Sequence, residues 1–145
     1  MNMEKNILLT GTLATYTYYA GEVDRDPRFR AILKTPVREA LRFADSGEAR
    51  IDAVVTTLFG SHGNELKNEE TGNCEFTGAA VIRRIRKKWP NARFFLIGAN
   101  PRNHQEIAEY SGETADIVFM DPEHAVNPVD LVEKLEECLL DHSCV

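Results

Sequence analysis

Residues 52–60 of the chain read DAVVTTLFG and contain a short, continuous apolar run. A run of this kind, rich in β-branched residues, predicts a strand buried on both faces, which is typical of a parallel sheet. We place the strand at residues 51–58, with Thr57 near its carboxyl end. The main functional question that the sequence raises is what chemistry the residue at this end can perform.

Four other segments predict strands, and four predict helices. The further strands lie at residues 6–10, 29–34, 93–98 and 116–120. The helices are expected where apolar residues recur at helical spacing, at residues 36–46, 77–89, 102–111 and 128–140. Parts of residues 13–35 fit either a helix or a strand, and both interpretations stay open.

Local signals set the expected ends of these helices. Thr35 is expected to cap a helix with Pro36 in its first turn, and Gly47 to end it. Thr77 is expected to cap the next helix, whose buried face carries Val81, Ile82, Ile85 and Trp89. The last helix is expected to bury Val129, Val132, Leu135 and Leu139.

Short apolar strands that alternate with helices predict a parallel sheet with helices on both faces. The sequence shows no internal repeat and no linker, so we expect one domain over residues 1–145. The polar segment at residues 60–76 is unusually long for a loop in a compact domain, and such loops are often functional.

The composition narrows the function classes. A net charge of −6 argues against a general binder of nucleic acid or acidic lipid, since phosphate contacts are mostly made by Lys and Arg. Three cysteines without repeated spacing do not suggest a secreted disulfide framework. No signal peptide or membrane-spanning stretch is evident, so we expect a cytoplasmic protein.

Several segments resemble the receiver domain of response regulators. They read GAAVIRRIRKKWPNARFFLIGAN at residues 78–100, ADIVFMDP at 115–122 and NPVDLVEKLEECL at 127–139, with a looser match in NILLTGT at 6–12. The resemblance implies a flavodoxin-like fold with a five-stranded parallel sheet of order 2-1-3-4-5.

The resemblance also implies a phosphorylation site at the strand carboxyl ends, where the family has two acids, an acceptor aspartate, a Thr or Ser, and a Lys. In this chain those positions hold Gly11 and Thr12, Thr57, Gly98 and Asp121. Mg²⁺ prefers hard oxygen ligands that usually include carboxylates, and a Thr hydroxyl without a base or metal is a poor nucleophile. We therefore expect no metal, no cofactor and no aspartyl phosphorylation.

The leading hypothesis is a stand-alone pseudo-receiver that acts in signal transduction as a protein-interaction module and not as an enzyme. The resemblance implies a partner face at residues 103–110, 116–120 and 127–140. The same face could form a homodimer. We expect neither a membrane nor a nucleic acid as its partner.

The alternative hypothesis is a small-ligand or unrecognised catalytic site at the strand carboxyl ends, where ligands of open α/β sheets bind. Its candidate residues are Thr10, His62 and Asn100, together with Thr12, Thr57 and Asp121, and residues 60–76 would form a lid.

Three weaker patterns have simpler explanations. Asp121 with Asp116 or Asp52 could rebuild a metal site, but acids near strand ends usually cap turns. Zinc could be bound by Cys138, His142 and Cys144 with Cys74 or His62, but the spacing matches no standard zinc pattern, and a buried Cys138 before a frayed tail is the simpler interpretation. The basic run RRIRKK, residues 83–88, is interpreted as a solvated helix face that could instead dock an acidic partner.

Overall fold

The computed structural model describes residues 4–11, 16–47, 49–58, 66–67, 71–72, 76–98, 104–113, 116–120 and 128–140. Strands and helices alternate along this part of the chain. They are β1 (Lys5–Thr10), α1 (Tyr16–Arg25), β2 (Phe29–Leu33), α2 (Val37–Ser46), β3 (Ala53–Thr57), α3 (Thr77–Arg86), β4 (Arg93–Ile97), α4 (His104–Ser111), β5 (Ile117–Met120) and α5 (Pro128–Leu139).

The five strands form one parallel sheet of order β2-β1-β3-β4-β5, which confirms the predicted fold class. β3 lies in the middle of the sheet, between β1 and β4, and all five of its residues are buried. Its continuous apolar sequence is therefore explained by helices that cover both of its faces.

Alternate residues of each strand face two separate hydrophobic clusters, because successive side chains of a strand point to opposite faces. Leu8, Val54 and Phe94 pack with residues of α2 and α3. Leu9, Val55 and Phe95 pack on the other face with residues of α1 and α5. The sheet is thus the middle of three layers.

Two expected helix caps are wrong. The N-cap of α2 is Pro36 and that of α3 is Phe76, and neither helix has a side-chain cap hydrogen bond. Thr77 is instead the first residue of α3, where it is buried. Gly47 does end α2, in the left-handed conformation that its missing Cβ permits.

The first helix, which the sequence left open, is now defined, and the last helix differs in part from its prediction. Residues 16–25 form α1, in which Tyr19 is buried and Tyr18 is 73% exposed. In α5 the buried residues are Leu131, Leu135 and Cys138, whereas Val129 is 46% exposed. The expected buried face was therefore wrong at Val129, because the helix is rotated so that Leu131 enters the core.

α3 ends at Arg86, earlier than expected, and a turn follows it. Trp89 nevertheless remains buried, and its indole Nε1–H donates to the Ala49 carbonyl oxygen at 3.0 Å. Within the described residues, no helix has the length and apolar character needed to cross a membrane.

Candidate functional site

The sheet register brings the candidate positions of β1, β3 and β4 to one edge. Thr10 lies beside Thr56 in the β1–β3 pair, and Thr57 lies beside Ile97 in the β3–β4 pair. Gly11 and Gly98 directly follow Thr10 and Ile97. Because all strands run in the same direction, their carboxyl ends meet at this edge, as ligand sites of open parallel sheets require.

The three described positions carry neither a carboxylate nor a cation. Gly11 is buried, Thr57 is 8% exposed, and Gly98 is partly exposed. Both glycines have positive φ angles, 134° at Gly11 and 89° at Gly98. Residues other than glycine rarely adopt positive φ angles. A carboxylate at Gly11 or a hydroxyl at Gly98 would therefore require a strained or rearranged backbone.

The backbone after β3 is tightly covered by the start of α3. The Gly78 N–H donates to the Leu58 carbonyl oxygen at 2.8 Å, and the Leu58 N–H donates to the Ile97 carbonyl oxygen at 2.9 Å. A Cβ at Gly78 would collide with the carbonyl of Thr57. The signal for this contact in the sequence is the run of small residues at 78–80, a pattern typical of close packing.

Two threonines on neighbouring strands lie on the α2–α3 face near this edge. Thr56 Oγ1 donates to the Thr57 carbonyl oxygen at 3.2 Å. Thr10 is fully buried, and within the described part of the chain its Oγ1 has no hydrogen-bond partner. Buried polar groups are normally hydrogen-bonded, so Thr10 is the residue here that most needs a functional or structural explanation.

Several predicted site residues lie outside the described residues, so the structure does not place them. They are Thr12, His62, Asn100 and Asp121. The loop at residues 60–76 is described only in part, and there Leu66, Thr71 and Phe76 are buried. Its proposed role as a lid stays a prediction.

Asp52 and Asp116 do not belong to this edge. Each precedes its strand and therefore lies at the opposite, amino end of the sheet. Asp52 accepts a hydrogen bond from the Asn6 N–H at 2.9 Å and lies 3.0 Å from Arg50 Nη2. Asp116 pairs with Arg86. Asp121 lies outside the described residues, so the hypothesis of a metal site that combines it with Asp116 or Asp52 stays a prediction.

The zinc hypothesis loses its described ligand. Cys138 is buried on α5 and is joined in a disulfide, which the sequence analysis did not foresee. A disulfide sulfur does not offer the thiolate that binds zinc. Among the described residues, no group of three or more His, Cys, Asp or Glu side chains is placed to hold a metal ion.

The expected partner face contains α4, β5 and α5. Tyr110 of α4 stacks on Phe76 with ring centroids 4.7 Å apart and planes 7° apart. Val129, in the first turn of α5, presents its side chain to solvent. The face thus includes an aromatic side chain held by stacking and an exposed apolar one.

Comparison with known proteins supports the fold and leaves the activity open. No protein-family model and no curated protein matches the chain. The chemotaxis protein CheY4 of Vibrio cholerae matches with a TM-score of 0.68 at 14% identity, covering 94% of this chain and all of that one.

Two other solved structures match over nearly their whole lengths. A response regulator of Thermotoga maritima has a TM-score of 0.61 at 14% identity, with 93% of this chain and 97% of that chain covered. The adenylate cyclase of Rhodopirellula baltica has a TM-score of 0.57 at 12% identity, with 97% and 95% covered. At such identities the likeness establishes the fold alone, and one fold hosts many functions.

Proposed function

We propose that this chain is a pseudo-receiver: a signal-transduction module that binds other proteins and performs no Mg²⁺-dependent aspartyl phosphorylation. The observation that carries the proposal is the edge formed by Gly11, Thr57 and Gly98. These positions lie at the carboxyl ends of three neighbouring strands, as the phosphorylation-site positions of receivers do, but they offer no carboxylate ligand and no carboxylate acceptor. Phosphoryl transfer relies on positioned charge, which these residues do not supply.

The backbone supports the same proposal. Positive φ angles at Gly11 and Gly98 favour glycine over the side chains that receiver chemistry needs. The loss of function would then be built into the conformation of the strand ends as well as into the residue types. A single substitution should be insufficient to restore the site.

Thermal unfolding with and without Mg²⁺ and beryllofluoride tests the absence of phosphorylation chemistry, since a ligand that binds the folded state raises Tm. For wild type and for Thr57→Asp, we expect the two additives to leave the Tm of each protein unchanged. An active response regulator serves as the positive control. A rise in the wild-type Tm that requires both additives would overturn the proposal.

The partner face has its own test. Val129→Asp places a charge on the exposed start of α5, while Tyr18→Asp makes the equivalent change on the exposed side of α1. We expect a partner captured by affinity purification to be retained by wild type and Tyr18→Asp and lost by Val129→Asp. Equal capture by all three proteins would exclude this face, and a captured second copy of the chain would indicate a homodimer.

A second candidate function is favoured by Thr10 alone. Its buried Oγ1, without a partner among the described residues, could bind a small anion or hydroxylated ligand at the strand carboxyl ends. A Tm screen of nucleotides and small anions tests this function, with Thr10→Val as the control that should abolish any shift. A ligand whose effect survives Thr10→Val would bind elsewhere.

A further inference from the structure

The outer sides of α2 and α3 enclose a cleft that the proposed partner face does not include. The cleft has a volume of about 430 Å³, and its floor is formed by Leu41, Ala44 and Ile85. A neighbouring hollow of about 280 Å³ lies beside Ala80 and shares Arg84 and Lys87 with the cleft. Together they form one groove along the exposed side of α3.

Positive charge dominates this groove. Among the described residues that line it, the cations are Arg83, Arg84, Lys87 and Lys88, all exposed, and the one carboxylate is that of Asp45. We call these four cations and the floor beneath them the basic groove. Its described lining residues have a formal charge of +3, on a chain with a net charge of −6. The charge is therefore strongly segregated to this side of the molecule.

The neighbouring helix α2 places one carboxylate, that of Asp45, at the groove, which neutralises only part of its positive charge. Glu39 of α2 lies 3.6 Å from Arg38 and 3.8 Å from Arg42, so its carboxylate is already paired. Among the ion pairs of the described residues, none includes Arg83, Lys87 or Lys88. Three exposed cations thus keep their full capacity to bind an external anion.

The spacing of these cations carries a cost. Arg83 and Lys87 are four residues apart, Lys87 is the C-cap of α3 and keeps a helical conformation, and like charges at this spacing repel each other. The dipole at the C-terminus of α3 offsets part of this repulsion. The helix dipole does not explain why a cleft lies beside these cations. An acidic occupant of the cleft would relieve the repulsion directly.

The positive surface continues past Lys88 to the amino end of the sheet. Lys88 also borders a cavity of about 530 Å³ whose further cations are Lys5, Arg50 and Arg93. The carboxylate in that cavity, on Asp52, is occupied by Arg50 at 3.0 Å. The positive surface is therefore elongated, which suits an extended chain better than a compact ion.

We propose that the basic groove binds an acidic polypeptide segment of a partner protein. Carboxylates of the segment would pair with Arg83, Lys87 and Lys88, and one apolar side chain would enter the cleft over Leu41 and Ile85. Opposite charge on the two surfaces accelerates association and fixes the orientation of the complex. This surface lies on α2 and α3 and is independent of the partner face at α4, β5 and α5.

A polypeptide fits this surface better than a nucleic acid does. The net charge of −6 opposes the approach of a nucleic acid from a distance. Single-stranded binders also need exposed aromatic rings on which bases stack. The aromatic residue at the cavities, Trp89, is only 8% exposed, and its indole N–H is bonded to the Ala49 carbonyl oxygen.

Chemical-shift mapping of the ¹⁵N-labelled chain provides the test. The probe is a peptide of about twelve residues, which spans ~40 Å when extended, with Asp and Glu around one central Leu. Two control peptides carry Asn and Gln in place of the acids, or Ser in place of the Leu. We expect saturable shifts at residues 80–88 and 41–47 with the acidic peptide, weakening as salt is added.

Two charge-matched variants locate the site. Arg83→Glu/Lys87→Glu reverses two cations of the groove, and Arg25→Glu/Arg30→Glu reverses two exposed cations elsewhere. We expect the groove variant to bind the peptide about tenfold more weakly and the control to bind about as wild type does. Retained spectral dispersion in both variants verifies that they fold.

Four results would overturn the proposal. Equal weakening in both variants would mean that only net charge matters, and shifts confined to other residues would place the site elsewhere. Tighter binding of a single-stranded oligonucleotide of matching charge would make the groove a nucleic-acid site. Concentration-dependent shifts at residues 80–88 without peptide would make a second copy the occupant.

Discussion

Gly78 of α3 lies against the backbone carbonyl of Thr57, at the end of β3. The contact leaves no space for a Cβ at Gly78, because that atom would collide with the Thr57 carbonyl and approach Leu96 Cδ1 to 2.9 Å. The Gly78 N–H also donates to the Leu58 carbonyl oxygen at 2.8 Å. The helix is therefore docked by backbone directly onto the strand end where a receiver would carry its acceptor residue.

Replacing this glycine should be costly. We expect Gly78→Ala to lower the free energy of unfolding by about 3 kcal/mol, the upper range for overpacking, since the obstructing atoms belong to rigid backbone. Urea denaturation measures the change. Gly21→Ala in α1 is the matched control, because nothing lies within 4 Å of its Cβ position. The free energy of unfolding of Gly21→Ala should rise by ~0.5–1 kcal/mol, because alanine has a higher helix propensity than glycine. Equal effects in both variants would contradict the close contact.

Most strands of this fold could be predicted from the sequence because they contain a continuous apolar run, whereas β2 is interrupted by the exposed Arg30. In β3 and β4 the covering helices bury both faces, so the sequence carries the signal without any alternation. The strand-end positions of Thr57 and Gly98 followed from those strands. The close approach of Gly78 decides how these positions are covered. That approach depends on a helix from a later part of the chain, and its signal in the sequence is only a run of small residues.

Local pattern was least informative where tertiary packing overrides it. Thr35 and Thr77 each precede or begin a helix, yet neither provides the side-chain cap that its position suggested. Arg86 lies in a run of cations and looks like its neighbours in the sequence. Its direction on α3 turns it toward β5 and away from solvent, so its side chain is only 19% exposed.

Arg86 should therefore contribute more to stability than the other cations of its helix. Its Nε and Nη2 donate to the two carboxylate oxygens of Asp116 at 3.1 and 2.6 Å. Its Nη1 and Nη2 also donate to the carbonyl oxygens of Ser111 and Glu113, at 2.8 and 2.7 Å. Removing the guanidinium leaves a partly buried carboxylate and two carbonyl groups without their donor.

We expect Arg86→Met to lose roughly 2 kcal/mol of unfolding free energy, since charged, partly buried partners are left unsatisfied. Asp116→Asn should lose less, because an amide oxygen still accepts one hydrogen bond. Arg83→Met, on the exposed side of the same helix, should change stability by less than about 0.5 kcal/mol. Chemical denaturation of the three variants checks the order, and an equal loss for Arg83 and Arg86 would disprove it.

The stacked pair Phe76–Tyr110 joins the start of α3 to α4. The rings are almost parallel, with centroids 4.7 Å apart, and Phe76 is 7% exposed. A double-mutant cycle with Phe76→Leu and Tyr110→Leu should give a coupling energy of ~0.5–1.5 kcal/mol, as for other aromatic pairs. The pair Phe43–Trp89, tilted by 43° at 6.0 Å, is the comparison within the same chain. No measurable coupling would mean that the rings do not interact in solution.

The pH dependence of stability should show the ion pair that closes the turn before β2. Asp26 accepts hydrogen bonds from Arg28 Nε and Nη2 at 2.9 and 2.7 Å. Chiefly through these bonds, Arg28 holds the pKa of Asp26 at about 2, below its ordinary value near 3.8. A lowered pKa stabilises the folded state above pH 3.8, and this contribution disappears as the pH falls toward 2. Since the Arg28 side chain is 50% exposed, added salt should screen part of it.

Asp26→Asn isolates this contribution from that of the other carboxylates. We expect the variant to be less stable than wild type at pH 5, with a gap that narrows steadily as both proteins are unfolded by urea at lower pH. A carboxyl-carbon NMR titration follows Asp26 directly and should give a midpoint well below that of a free aspartate. A midpoint near 4, or a gap that stays constant with pH, would mean that Arg28 does not hold the carboxylate in solution. Arg28 also donates to Glu136 of α5 at 2.8 Å. Since the hydrogen bonds from Arg28 are the chief cause of the lowered pKa of Asp26, Glu136→Gln should leave most of the Asp26 effect intact.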